Sequence, residues 1–233
     1  MTLWDIYSLI GIITNKDFSG NIVTPGKFNE LIKVANIDLF RKKYGLPEEY
    51  KPGRPVPNEY VDVTLKNMDD LRRKFHKTII NTPVADGVLP YPLDYAHRDT
   101  IRYNYTKSIN GEDVVLPKEV EILRGAQMSE RLGNYTKRPT TKNSCGELRL
   151  DGIYIYPTTI NVVDFHYFRF PNNPEFAYTI SDGYAVYNPS ASTELEWPVD
   201  EHITLTRMVL QYVGVNLRES DIVQYSELKL REG

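Results

Sequence analysis

Asn15, Asp17 and Ser19 place side-chain oxygens at positions 1, 3 and 5 of a helix-loop-helix calcium pattern, with Gly20 at 6 and Ile22 at 8. Position 12 of that pattern is a bidentate glutamate, and here it is Gly26. Without that carboxylate the coordination sphere is open, so Asn15–Asn21 is expected to be a polar turn rather than a cation site. Asp164 and His166 lie two apart and share a face if their run is a strand, an arrangement that suits a metal or an acid–base pair. No third ligand stands at a suitable spacing, so a surface or core pair is expected. Asp94, His97 and Asp99 form a second dense group after Leu89–Leu93, where Asp94 is expected to make turn hydrogen bonds. Cys145 is the only cysteine, which excludes an intrachain disulfide and a cysteine-built metal cage, and no thiol-catalysis signature surrounds it. Neither GxGxxG nor GxxxxGK[ST] occurs, which argues against a kinase or nucleotide-driven motor. A carboxylate pair assembled from distant strands stays open among the 31 acidic residues. The expectation is a non-enzymatic protein with no catalytic residues, metal or cofactor.

The elements that would carry these residues can be read from apolar spacing. Leu3, Ile6, Ile10 and Ile13 make one helical stripe, capped by Thr2 with Asp5 as its partner. Thr24 before Pro25 marks a second helix start, continued by Phe28, Leu31, Ile32, Ala35 and Leu39 and ended by Gly45. These two are expected to form an antiparallel hairpin over residues 1–45. Pro47, Pro52, Pro55 and Pro57 make residues 46–60 an extended linker or arm, able in an assembly to lie along a neighbour. A β-rich core follows over 61–192. Asp86-Gly87, Asn110-Gly111, Asp151-Gly152 and Asp182-Gly183 are hairpin doublets, because tight turns need positive φ at both central residues. Around Asp151-Gly152, Leu148 and Leu150 before the turn and Ile153 and Ile155 after it predict one continuous apolar face. Val163, Phe165 and Tyr167 alternate, as do Ile101, Tyr103 and Tyr105. Short helices are predicted over 68–75 and 126–132. Residues 193–233 return to helix: Leu205, Met208, Val209, Tyr212 and Val213 form a stripe that Gly214 stops, and Ser220 caps a last helix through Leu228. The predicted fold class is α+β, a central antiparallel β-sandwich-like domain flanked by an N-terminal helical hairpin and C-terminal helices.

Composition bounds the partners. The chain has 233 residues, net charge −3 and 17 tyrosines against 2 tryptophans. No global basic excess draws it onto nucleic acid or an anionic membrane. The runs Arg41–Lys43, Arg72–Lys74 and Lys137-Arg138 read as solvated faces. No apolar run approaches the ~20 residues of a membrane span, and the start lacks the basic region of a signal peptide. Folding in a reducing cytoplasm is expected. Tyrosine at this frequency suits either a half-wet sheet core or subunit interfaces.

Residues Arg131–Phe176 are the most specific block: Arg-Leu-Gly-Asn-Tyr-Thr-Lys-Arg-Pro, then Leu-Arg-Leu-Asp-Gly-Ile-Tyr-Ile-Tyr-Pro, then Tyr-Phe-Arg-Phe-Pro-Asn-Asn-Pro-Glu-Phe. With Phe28–Leu31 after Thr24-Pro25, Gly87–Pro90 before Asp94-Tyr95, and Thr193–Pro198, it covers most of the chain in order. This pattern resembles virion structural proteins of bacteriophages, especially head-to-tail connector or ring (adaptor) proteins of crAss-like phages with short tails. The chain departs from it at Thr141–Cys145, where a threonine-lysine-aromatic-proline step is often found. The resemblance implies a homo-oligomeric ring, a dodecamer following the portal's symmetry, at the head–tail junction of the virion after synthesis in the host cytoplasm. Its implied partners are the portal protein and other connector or tail proteins, with passive contact to phage DNA in the lumen, no membrane and no catalytic residue. Trp197, Tyr212, Tyr225, Pro52 and Pro55 are the candidate interface residues, by residue type and by the proline-rich arm. For Trp197 and the two tyrosines, packing of terminal helices on the core is the equal alternative. The competing class is a soluble β-sandwich binding module, for example one that binds carbohydrate through exposed tyrosines.

Overall fold

A computed structural model describes residues 1–14, 23–44, 58–109, 111–181 and 184–217. The calcium-like turn at 15–22, Pro52, Pro55, Tyr225 and the predicted last helix from Ser220 lie outside the described residues. In chain order the elements are α1 (Leu3–Thr14), α2 (Pro25–Tyr44), α3 (Asn58–Phe75), β1 (His76–Pro83), β2 (Val88–Leu89), β3 (Tyr95–Ile109), β4 (Glu112–Glu119) and β5 (Glu121–Leu123). They continue as α4 (Gly125–Gly133), β6 (Cys145–Leu148), β7 (Ile153–Tyr156), β8 (Val162–Arg169), β9 (Tyr178–Ser181), β10 (Tyr184–Tyr187) and α5 (Val199–Leu217). The fold is mixed α+β. Two compact units result, Met1–Lys74 with Pro171–Gly233, and Phe75–Phe170, so the segment 61–192 is shared between them.

In the helical unit the start signals act as the spacing predicts. Thr2 N–H donates to Asp5 Oδ2 at 2.7 Å and Asp5 N–H donates to Thr2 Oγ1 at 3.2 Å, a reciprocal cap on α1. The Glu194 carboxylate, far along the chain, also accepts from Leu3 N–H at 2.8 Å. Leu3, Ile6 and Ile10 are buried, but Ile13 is exposed together with Leu9 and Ile12. The predicted hairpin is incomplete. Tyr7 and Phe28 meet edge to face at 5.3 Å, yet α5 is what packs along α2, and it also packs on α1. Leu205, Val209 and Val213 supply the buried stripe of α5, facing a core that includes Phe28, Ile32, Ala35 and Leu39 of α2. Gly214 does not stop α5, which continues to Leu217. The helix over 68–75 is the end of the longer α3, whose first turn takes Asn58–Tyr60 out of the predicted arm.

In the β unit two four-stranded sheets pack together, ordered β1-β8-β3-β4 and β2-β7-β6-β5. Central strand β8 points Val163, Phe165 and Tyr167 inward, and Ile101 and Tyr103 of β3 join them with Leu89, Ile153 and Ile155 of the other sheet. Each such side chain, fully buried, contributes roughly 1.5–3 kcal/mol. The sandwich is not wholly antiparallel: β5 and β6 run parallel, joined by a crossover through α4. Asp86 (φ 52°) and Gly87 (φ 80°) make the predicted tight turn before β2. Asp151-Gly152 does not. β6 and β7 pair from Leu148↔Ile153, leaving a four-residue loop closed by Arg149 N–H to Gly152 O at 2.9 Å. Leu148 and Leu150 are exposed while Ile153 and Ile155 are buried, so no apolar face crosses that turn.

Strand β3 outruns its sheet. It pairs with β8 only between Tyr95↔Arg169 and Arg102↔Asp164, and with β4 from Arg102↔Glu119 to Ile109↔Glu112. Beyond Tyr103 the two strands therefore continue as a two-stranded arm, with no third strand paired to it among the described residues.

Candidate interaction sites

A groove of about 940 Å3 lies in the β unit, formed by the end of β4, β5, α4 and the loop before β6. Local rules shape each wall. Helix α4 starts where the Gln127 side chain accepts from Arg124 N–H at 3.3 Å, which projects Gln127, Glu130 and Arg131 along the groove. Asn134 then makes an Asx turn, its Oδ1 accepting from Thr136 N–H at 3.0 Å and Thr136 Oγ1 at 2.8 Å. Thr140 and Asn143 pair by two backbone bonds of 3.0 and 3.1 Å, so Thr141–Cys145, where the chain departs from the connector pattern, enters β6 through a tight turn. Lys118 Nζ donates to Lys142 O at 2.7 Å and holds that turn against β4.

The groove lining sets Lys118, Arg131, Lys137, Arg138 and Lys142 against Glu119, Glu121 and Glu130, a surplus of positive charge. Arg131 pairs with Glu121 at 2.8 Å and Lys137 with Glu130 at 3.3 Å. Arg138 and Lys142 have no side-chain partner among the described residues. Ser144 is 3% exposed and its hydroxyl is buried without a hydrogen bond, at the floor where β6 begins. An unpaired donor beneath unpaired cations suits an anionic group. The sequence signal was the doublet Lys137-Arg138, which alone reads as a solvated loop.

A second cavity of about 420 Å3 lies where Asn81, Asn104, Tyr105, Thr159, Asn161 and Asp164 converge. Asn81 holds φ 56° at the irregularity in the β1–β8 pairing, and its N–H donates to Asp164 Oδ1 at 2.9 Å. Amides, hydroxyls and a tyrosine ring can bind a neutral polyhydroxyl ligand.

The titratable groups singled out by spacing do not form one site, although Asp99 and His166 both meet His76. The Asp94 carboxylate also reaches beyond its own turn, accepting from Lys77 Nζ and Tyr167 Oη, each at 2.8 Å. Burial alone would raise the Asp94 carboxyl, but those two hydrogen bonds and the Lys77 charge hold it below the ordinary value. Asp99 instead pairs with His76 at 3.3 Å, and burial pushes His97 below the usual imidazole range. His166 accepts or donates at Thr78 Oγ1, 2.9 Å away, and stacks on His76 with centroids 5.7 Å apart. Among the described residues no three His, Cys, Asp or Glu side chains are placed to share a metal. Cys145 is buried with Sγ 3.6 Å from Met128 Sδ, and burial raises its thiol, away from the nucleophilic thiolate.

Two interface candidates stand in the helical unit. Trp197 is 3% exposed and its Nε1–H donates to Asn36 Oδ1 at 2.7 Å. Tyr212 is half-buried on α5 and donates to Asp38 Oδ2 at 2.7 Å. Burial first, then that carboxylate, pushes the Tyr212 phenol up to about 12. Lys43, in a run that reads as solvated, is buried between Glu201 at 2.7 Å and Asp70 at 3.2 Å. Compared with protein-family models and with curated protein sequences, the chain matches none.

Proposed function

We propose that this chain is a structural subunit of a bacteriophage particle, a ring or adaptor protein of the head-to-tail connector below the portal, passive in DNA passage. The observation that carries the reading is the Arg131–Phe176 block with its companions in order along the chain. The β3–β4 arm suits it physically. Val114, Val115 and Leu116 are exposed on a two-stranded hairpin, and such a hairpin gains stability when another surface covers it. Ring closure needs heterologous contacts of this kind, with one patch of each copy seated on a different patch of the next. The partners under this reading are further copies of the chain, the portal and neighbouring connector or tail proteins. Quantitative mass spectrometry of purified particles tests it. A copy number equal to the portal's, or a small multiple, supports a connector ring; absence from the particle removes it.

The second cavity favours one other reading, a carbohydrate-binding module. Tyr105 and the amides of Asn81, Asn104 and Asn161 supply the ring and the directional hydrogen bonds such a site uses. Screening the isolated protein on a glycan array separates the two, since a passive ring subunit gives no saturable glycan signal.

A further inference from the structure

We infer that the tip of the β3–β4 arm of one copy docks into the basic groove of a second copy. The inference rests on the ring reading for its context and on charge and reach for its content. From Asn104↔Pro117 to Ile109↔Glu112 the arm adds six residue pairs, about 20 Å at the usual strand rise. Glu112 and Asp113 lie at its tip, exposed and without a side-chain partner among the described residues. Lys118, in the groove wall, is on the same strand six residues back. A strand is too stiff to fold its own tip onto its base, so the tip's acids cannot serve their own groove.

The groove offers the complement. Arg138 and Lys142 are exposed cations without side-chain partners among the described residues. Two discrete carboxylates match two discrete cations. A continuous phosphodiester chain fits less well, because Glu119, Glu121 and Glu130 share the same lining. Val114, Val115 and Leu116 follow the acids directly, so seating the tip also takes apolar strand surface out of water. The contact is heterologous. Each copy keeps one free tip and one free groove, so association continues until rotation closes a ring.

Sedimentation velocity of the full chain at low and high salt tests the contact. The wild type should self-associate at low salt and weaken as screening rises. Glu112→Lys/Asp113→Lys and Arg138→Glu/Lys142→Glu should each weaken self-association about tenfold or more. An equimolar mixture of the two variants should assemble again, because each reversed tip then meets a reversed groove. Circular dichroism of each variant verifies that it is folded. A wild type that stays monomeric, variants that assemble unchanged, or a folded mixture that fails to recover each overturns the inference. So does a groove variant that assembles normally but loses affinity for duplex DNA, which assigns the groove to nucleic acid. Particle copy number reports separately on the ring reading. Recovery by mixing in a chain absent from particles keeps the contact and removes the ring; portal-matched copies with undisturbed assembly do the reverse.

Discussion

Replacing Trp197 by alanine separates the two roles a tryptophan near a chain's terminal helices can have. The indole is 3% exposed, and its N–H is bound by Asn36, itself 1% exposed. Asn36 is in turn fixed by donating from Nδ2 to Asn172 O at 3.0 Å. Truncating a buried Trp costs about 3–5 kcal/mol for lost transfer and the cavity left behind. Leaving the Asn36 oxygen unpaired adds to that, at about 1–3 kcal/mol if no water replaces the indole. For a chain of this size a loss of about 4 kcal/mol lowers the thermal midpoint by roughly 8–16 °C. Trp197→Phe keeps the six-membered ring but loses the donor with the rest of the pyrrole ring, so its cost should lie between the hydrogen-bond figure and that of alanine. A cycle of Trp197→Phe and Asn36→Ala should show coupling of about 0.5–3 kcal/mol. The assay is urea unfolding followed by far-ultraviolet circular dichroism, with Leu205→Ala as a control of similar destabilisation, since Leu205 is fully buried on α5. Under the proposed connector reading, incorporation into particles should fall alike for Trp197→Ala and that control. A Trp197→Ala protein within about 1 kcal/mol of wild type, yet excluded from particles, refutes this reasoning and returns the ring to an intersubunit role.

Three other perturbations read other joints of the fold. Lys43→Met strands the Asp70 and Glu201 carboxylates that the ammonium links, and should cost about 3 kcal/mol in urea unfolding; an unchanged midpoint would show the charges to be solvated. Tyr212 is raised from 10.0 to about 12, so its contribution is complete below pH 10 and is lost as pH rises through about 12. Wild type should therefore lose more stability across that alkaline window than Tyr212→Phe, and equal slopes would deny the Asp38 bond a role. Gly152→Ala should cost about 1–3 kcal/mol, because the added Cβ would lie 2.6 Å from Leu89 O, a backbone atom that cannot swing aside. A thermal midpoint equal to wild type would mean the β2–β7 edge yields freely.

What was legible in the sequence is what local chemistry decides. Thr2 with Asp5, Thr24 with Pro25, and Asp86 with Gly87 each set a few torsions, and no distant residue competes with them. The alternation of Val163, Phe165 and Tyr167 survived because β8 is central, so one face has to be apolar. Asp151-Gly152 failed for a reason of register. The doublet marks a loop but does not fix its length, and glycine is needed there for the close pass of Leu89 rather than for positive φ. At Gly214 the loss of helix propensity, about 1 kcal/mol, is outweighed by the packing of α5. The parallel β5–β6 pair and the burial of Lys43 depend on partners far along the chain, which no spacing within one segment can announce.

Residue type misleads most where core and interface want the same side chains. Trp and Tyr favour interfaces because they combine area with a polar tip, and a small core makes the same demand. Several tyrosine tips here are occupied within the chain. Tyr7 donates to Val23 O, Tyr103 to Thr141 O, Tyr167 to Asp94, Tyr187 to Glu194 and Tyr212 to Asp38. The exposed apolar surface among the described residues includes Trp4 and Ile12 on α1 and Tyr135 after α4, and also β-branched strand residues. Val114 and Val115 stand out on the β3–β4 arm, and Ile180 and Val186 on the β9–β10 hairpin are 75% and 49% exposed. A two-stranded hairpin is marginal by itself in water, so apolar residues there add no stability to the isolated chain unless another surface covers them. These hairpins therefore supply one physical argument for assembly. Substituting serine for Val115 or Ile180 should leave the folding midpoint near that of wild type and weaken only what the chain does with its neighbours.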